Sequence, residues 1–169
     1  MSFKTGSNAM NPERKIRIFD TRPEGFEETA AVAAAHVVSD GKLLLLEGAE
    51  GKGKAGFFAP PAGKMEVGET PLETLERELF EETGIRLVNG VCPRLLFTLY
   101  ISKRDIDYLY HCFEVPFLKP PSITLSPEHR SYRWETPEAS AHLPLIEGGK
   151  VILERYLRCS PAFSPREIG

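Results

Sequence analysis

At 169 residues, with 41% hydrophobic and 27% charged residues, the chain is long enough to fill one core and short of what two full domains need. Its apolar runs, such as Leu43 to Leu46, are strand-sized and far below the ~18 residues of a membrane span. A net charge of −3 argues against a nucleic-acid duplex as partner, and an acidic protein that handles phosphates needs a cation.

Residues 1–10 contain Gly6-Ser7-Asn8-Ala9 ahead of a second methionine, Met10, and read as an added leader. Residues 11–159 read as a single domain, and 160–169 as a loose tail. Ala30 to Val38 is almost continuously apolar, and Asp40-Gly41 turns it into Lys42 to Leu46, which predicts a hairpin entering a buried sheet. The Gly48 to Gly56 loop has the glycines and lysines of a phosphate cradle but lacks Walker spacing, so it is expected to be a solvated loop. It leads into Phe57-Phe58-Ala59-Pro60-Pro61-Ala62-Gly63.

Thr70 and Glu73 form a capping box with Pro71 at the first helical position, and Gly84 stands where a left-handed terminal residue is wanted, so 71–83 is predicted helical. Leu72, Leu75 and Leu79 recur at helical spacing and are expected to face the sheet. Arg94 to Ser102 and Tyr108 to Val115 form a second predicted hairpin, followed by a proline-rich connection from Pro116 to Pro127. Tyr132 to Glu135 reads as a short strand, Thr136-Pro137 as the start of a short helix, and Glu147 to Arg158 as a helix with periodic Val151, Ile152, Arg155 and Tyr156. Hairpins on either side of a central helix predict a mixed β-sheet covered on both faces, an α/β/α sandwich.

Cys92, Cys112 and Cys159 lack the spacing of a zinc site or a disulfide framework and read as reduced thiols. With no secretory signal in view, a cytoplasmic location is expected, with no membrane partner; a homodimer stays open.

Chemistry concentrates in one helix. Glu78, Glu81 and Glu82 stand at i, i+3 and i+4, so their carboxylates share one face. They crowd the helical end where the macrodipole disfavours negative charge, which a hard divalent cation would relieve. Magnesium suits them, with manganese as an alternative, because it takes a few carboxylates and leaves positions for phosphates. Pro60-Pro61 stiffens the approach, and Gly63 permits a tight backbone that could turn the Ala62 carbonyl toward the same cation.

Gly63, Glu69, Arg77, Glu78, Leu79, Glu81, Glu82, Gly84 and Ile85 match, at every defined position, the Nudix box G-x5-E-x7-R-E-U-x-E-E-x-G-U, where U is aliphatic. The chain therefore resembles the Nudix hydrolase family, whose members cleave nucleoside diphosphates linked to another moiety. The resemblance implies metal binding by Glu78 and Glu82, with Glu81 and the Ala62 carbonyl adding ligands, and a structural role for Gly63, Gly84 and the Glu69–Arg77 pair. It implies a small nucleotide as substrate: an ADP-ribose-like compound, a nucleoside triphosphate or a dinucleoside polyphosphate. Pro61-Ala62-Gly63 is similar to the ADP-ribose branch, whereas Tyr100, 16 residues past Gly84, is similar to dinucleoside polyphosphate hydrolases.

Family members also carry a distant glutamate as ligand or base. Glu128, ahead of His129-Arg130-Ser131-Tyr132-Arg133-Trp134, resembles it; Glu114 is the alternative, though its strand position also fits an outward-facing residue. The expected catalytic set is Glu78, Glu81, Glu82 and Glu128. Phe57, Phe58 and Tyr100 are the candidate platforms for a base. His36, His111, His129 and His142 show no metal-ligand spacing and read as structural, although His129 beside Glu128 could touch phosphate. A catalytically silent nucleotide sensor on the same fold is the alternative, and the intact glutamate set weighs against it. A zinc or iron enzyme is disfavoured by the lack of paired histidines.

Overall fold

The computed structural model describes residues 15–88 and 90–163. The expected leader at 1–10 and residues 164–169 of the expected tail lie outside the described residues.

Strands β1 (Arg17–Phe19), β2 (Glu28–Ser39) and β3 (Lys42–Gly48) open the fold. β2 and β3 form the expected hairpin, with positive φ at both Asp40 (50°) and Gly41 (69°), the primed turn that matches strand twist. They pair only at Val38 with Leu43 and Ser39 with Lys42, and then splay. Two strands not expected from the sequence fill the opening: β4 (Phe58–Ala59) pairs with β3, and β5 (Ala62–Lys64) pairs with β2. Pro60-Pro61 stands between them, where the missing N–H groups cost no ladder bond, and the Pro61 carbonyl accepts from Ala35 N–H at 2.8 Å.

β6 (Arg94–Lys103) and β7 (Ile106–Pro116) form the second hairpin, and β8 (His129–Glu135) lies along β3, starting three residues earlier than expected. The order is β1-β6-β7-β2-β3-β4, with β2 and β7 parallel and the other pairs antiparallel. Helix α1 (Pro71–Thr83) covers one face and α3 (Gly149–Cys159) the other, with a short α2 (Pro137–Ser140) between β8 and α3, so the molecule is an α/β/α sandwich. No helix among the described residues is long and apolar enough to cross a membrane.

Period-two alternation divides the core. Ala33, Ala35 and Val37 of β2 join Leu44, Leu46, Phe113 and Val115 against Leu75, Leu79 and Ile85. The intervening Ala34, Val38, Leu43, Tyr110 and Cys112 pack on Ile152, Leu153 and Tyr156 of α3. The capping box forms as predicted: Thr70 Oγ1 accepts from Glu73 N–H at 3.2 Å, and Glu73 Oε2 from Thr70 N–H at 2.7 Å. Gly84 closes the helix in the left-handed region. Leu72 corrects the expected face: it is 42% exposed, because spacing sets which way a side chain points but not how far along the helix the core extends. Val151 is exposed for the same reason, and α3 begins two residues later than expected.

Glu114 is neither outward-facing nor a base for the glutamate cluster. It shares a face of β7 with Tyr110 and Cys112, so it points at α3, with the sheet between it and α1. Fully buried, it accepts hydrogen bonds from the Tyr156 hydroxyl (2.8 Å), the Ser160 hydroxyl and Arg94 (3.0 Å). Ser160 is thereby buried, and Phe163 packs edge-on against Tyr156 at 6.2 Å, so the chain is pinned beyond the expected start of the tail at 160. Truncation in Glu114→Ala strands two buried hydroxyls and is expected to cost about 3 kcal/mol in denaturant unfolding. A loss below about 1 kcal/mol would show that the network does not fasten α3.

Candidate active site

The three helix glutamates occupy different environments. Glu82 is buried, and its Oε2 accepts the Ala62 N–H at 3.0 Å, which ties β5 to α1. Glu78 lies against Gly63: a Cβ there would come within 1.9 Å of the Glu78 carboxyl carbon. Gly63 thus leaves the space that the Glu78 carboxylate occupies, whereas the sequence suggested a torsional need. Burial pushes the Glu78 carboxyl above the usual carboxylate range, opposed by Arg77 and reinforced by Glu82 and Glu81. Glu81 is more exposed, at 56% of its side chain.

Arg77 organises this end of the cleft. Its Nε meets Glu69 Oε1 at 2.6 Å and its Nη2 meets Glu69 Oε2 at 2.9 Å, a two-point fork; Nη2 also donates to the Lys64 carbonyl at 3.0 Å and Nη1 to Glu78 at 2.7 Å. Glu69 is held down at about 2, first by Arg77, then by the Glu66 N–H and the Thr74 hydroxyl. The pair links Glu69 and the Lys64 carbonyl, ahead of the helix, to Arg77 on it.

The second wall is the loop after β3. A Cβ on Gly48 would meet the Lys54 carbonyl oxygen at 2.3 Å, so the loop folds back over Gly48, with Gly56 N–H donating to the Gly48 carbonyl at 3.2 Å. The loop is solvated, as expected, yet Lys52 and Lys54 line the same cleft as the glutamates.

The third wall is the proline-rich connection, which uses the open carbonyls at the end of α1. Thr124 N–H donates to the Thr83 carbonyl at 2.8 Å and Ser126 N–H to the Glu82 carbonyl at 3.1 Å. Ala49 N–H binds the Glu128 carbonyl at 2.9 Å, and Glu47 holds the side chains of Arg130 and Ser131. Glu128 and His129 are therefore delivered to Glu82, and one ligand atom from each of the three lies within 4.8 Å of the others. Both His129 ring nitrogens are shut off from solvent without a hydrogen bond. Nε2 stands 3.3 Å from Glu82 Oε1, within ion-pair reach but outside hydrogen-bond geometry.

These walls enclose a cleft of about 490 Å³ that brings together Ala62, Gly63, Glu78, Glu81, Glu82 and Glu128. Clustered carboxylates, the glycine cradle beneath one of them and an unpartnered imidazole nitrogen fit a divalent cation. The expected aromatic platforms do not line this cleft. Phe58 is buried in β4 under the Arg133 guanidinium, because its strand inserts beside β3. Tyr100 sits on β6 with its ring edge-on to Phe26 at 5.3 Å, and Phe57 is exposed outside the lining. Sequence reading left out Lys52, Lys54 and Glu66 as site residues and gave His129 only a phosphate contact; the glycine-lysine composition was the available signal for the two lysines.

The family model for the NUDIX domain matches residues 29–156. The chain is 31% identical over 133 residues to the asymmetrical bis(5'-nucleosyl)-tetraphosphatase of Rattus norvegicus, covering 72% of this chain and 84% of that one. It is 30% identical over 126 residues to the CTP pyrophosphohydrolase of Escherichia coli, covering 75% and 90%. The solution structure of the E. coli ORF135 protein superposes with a TM-score of 0.67 at 26% identity, over 84% of this chain and 96% of that one.

The Gly63 cradle generates a direct expectation. Gly63→Ala should push the Glu78 carboxylate aside and weaken magnesium binding at least tenfold, on the order of what displaced metal-site partners cost, with an unchanged circular dichroism spectrum. Magnesium titration by calorimetry reads it, and wild-type affinity in the variant would remove the cradle from the site.

Proposed function

The chain belongs to the Nudix hydrolase family, and from that premise we propose that it hydrolyses the pyrophosphate linkage of a nucleoside diphosphate derivative with magnesium, or manganese, bound at the α1 glutamates. The observation that carries this reading is the convergence of Glu78, Glu81, Glu82 and Glu128 on one cleft that Lys52 and Lys54 also line. Glu78 and Glu82 are the principal ligands, with Glu81 and the Ala62 carbonyl as further donors.

Pyrophosphate resists water because its anionic oxygens repel the nucleophile, so a catalyst must neutralise charge, align the water and take its proton. A bound divalent cation supplies charge neutralisation and makes water a better nucleophile. The chain's residues do the rest. Lys52 and Lys54 draw the phosphate chain into the cleft, and Arg77 keeps Glu78 aimed at it. A Glu128 carboxylate oxygen accepts the proton as the water oxygen bonds to phosphorus and the bridging P–O bond breaks.

The rat and E. coli relatives are named for a dinucleoside tetraphosphate and for CTP, both with more than two phosphates. Two lysines in the same cleft as the carboxylates suit such extended phosphate chains better than ADP-ribose, which has only two phosphates.

Screening the protein against nucleoside triphosphates, dinucleoside polyphosphates and ADP-ribose should give turnover with magnesium or manganese that stops on exhaustive chelation. Activity that survives chelation contradicts the metal role, and nucleotide binding without turnover identifies a sensor. On a confirmed substrate, Glu128→Gln should lower kcat by about 100-fold with little change in KM, the scale of a lost general base. Unchanged kinetics would take Glu128 out of the mechanism.

A further inference from the structure

His129 stands apart from the family's box and faces the same cleft as its glutamates. The start of β8 fixes its backbone, since His129 pairs with Gly48 of β3 and its N–H donates to the Ser126 carbonyl at 3.1 Å. Its backbone is therefore held in place, yet neither ring nitrogen has a hydrogen-bond partner, and both are out of solvent. Burying a polar nitrogen without a partner is unfavourable, so such a nitrogen marks a place where a ligand is accommodated. The nearest polar atom is Glu82 Oε1, at 3.3 Å. That spacing is close to the ~3 Å edge between neighbouring ligands of an octahedral cation with bonds of about 2.1 Å. The carboxylate of Glu128 completes the trio within 4.8 Å.

We propose that His129 is a direct nitrogen ligand of the catalytic cation, which makes this a mixed nitrogen and oxygen site that prefers manganese or cobalt to magnesium. The proposal rests on the metal-dependent reading of the cleft. Imidazole is a borderline donor that suits the later first-row ions, whereas magnesium favours oxygen alone and keeps its waters. His129 is the sole histidine among the described residues lining the cleft, so a nitrogen signal from a cation held there has one source.

The test uses the purified protein and manganese alone, with no substrate. Electron spin-echo envelope modulation of the bound manganese should show coupling to a ligated 14N nucleus in the wild type. The coupling should be absent in His129→Gln. By calorimetry the same substitution should weaken manganese binding by about tenfold or more and change magnesium binding by much less. Manganese that binds without nitrogen coupling overturns the His129 assignment and leaves the carboxylate site standing, whereas failure to bind manganese or magnesium at all overturns both. If His129→Gln does not fold, the wild-type spectrum still decides, because it alone shows whether nitrogen is ligated.

Discussion

Three carboxylates within one turn at the carboxyl end of a helix form an arrangement that electrostatics opposes twice, through mutual repulsion and through the macrodipole. Everything around α1 answers that repulsion. Arg77 supplies a guanidinium to Glu78 and reaches toward Glu81, Ala62 supplies an N–H to Glu82, and Gly63 opens the space in which Glu78 lies. The Glu78 carboxyl is nonetheless displaced upward by burial, the mark of a group whose charge is incompletely compensated by protein alone. A divalent cation set among these carboxylates would oppose both repulsions, which is the physical reason the cluster reads as a candidate cation site.

The helix could not present this cluster without the splayed hairpin. Had β2 and β3 paired along their full length, the edge of β2 that receives Ala62 to Lys64 would have been filled by β3. Because they pair at only two positions, the chain returns through Pro60-Pro61 into the gap, and β5 carries Ala62 and Gly63 to the glutamates. The end of α1 is used in a matching way. Its last carbonyls need donors, the connection after β7 provides them, and the same segment brings in Glu128 and His129. The segment that satisfies those carbonyls is the one that carries Glu128 and His129.

Local rules were legible in the sequence and long-range geometry was not. Thr70, Glu73, Pro71 and Gly84 announce both ends of α1 because capping acts over three or four residues. The glutamate spacing shows a shared face for the same reason. β4, β5 and the three-residue β1 are too short to carry periodicity, and their existence depends on partners far away in sequence. Glu114 was misread because an acidic residue in an apolar strand looks outward-facing unless the hydroxyls of Tyr156 and Ser160, 42 and 46 residues on, are known to meet it. Phe58 and Tyr100 were candidate platforms by composition; β4 insertion buries the first, and pairing of β6 with β1 places the second against Phe26. His129 has no sequence partner at ligand spacing, since the residue it meets on the helix is Glu82.

The Glu69–Arg77 pair shows why stability is the wrong measure for such a residue. An accessible ion pair contributes little to folding, about 0–1 kcal/mol. Yet Arg77 touches two points on Glu69, the Lys64 carbonyl and the carboxylates of Glu78 and Glu81, so one planar group spans the loop and the helix. A lysine carries the same charge at a single point and could not hold those directions together. The requirement at position 77 is therefore for a rigid fork, and its product is the placement of the Glu78 carboxylate over Gly63.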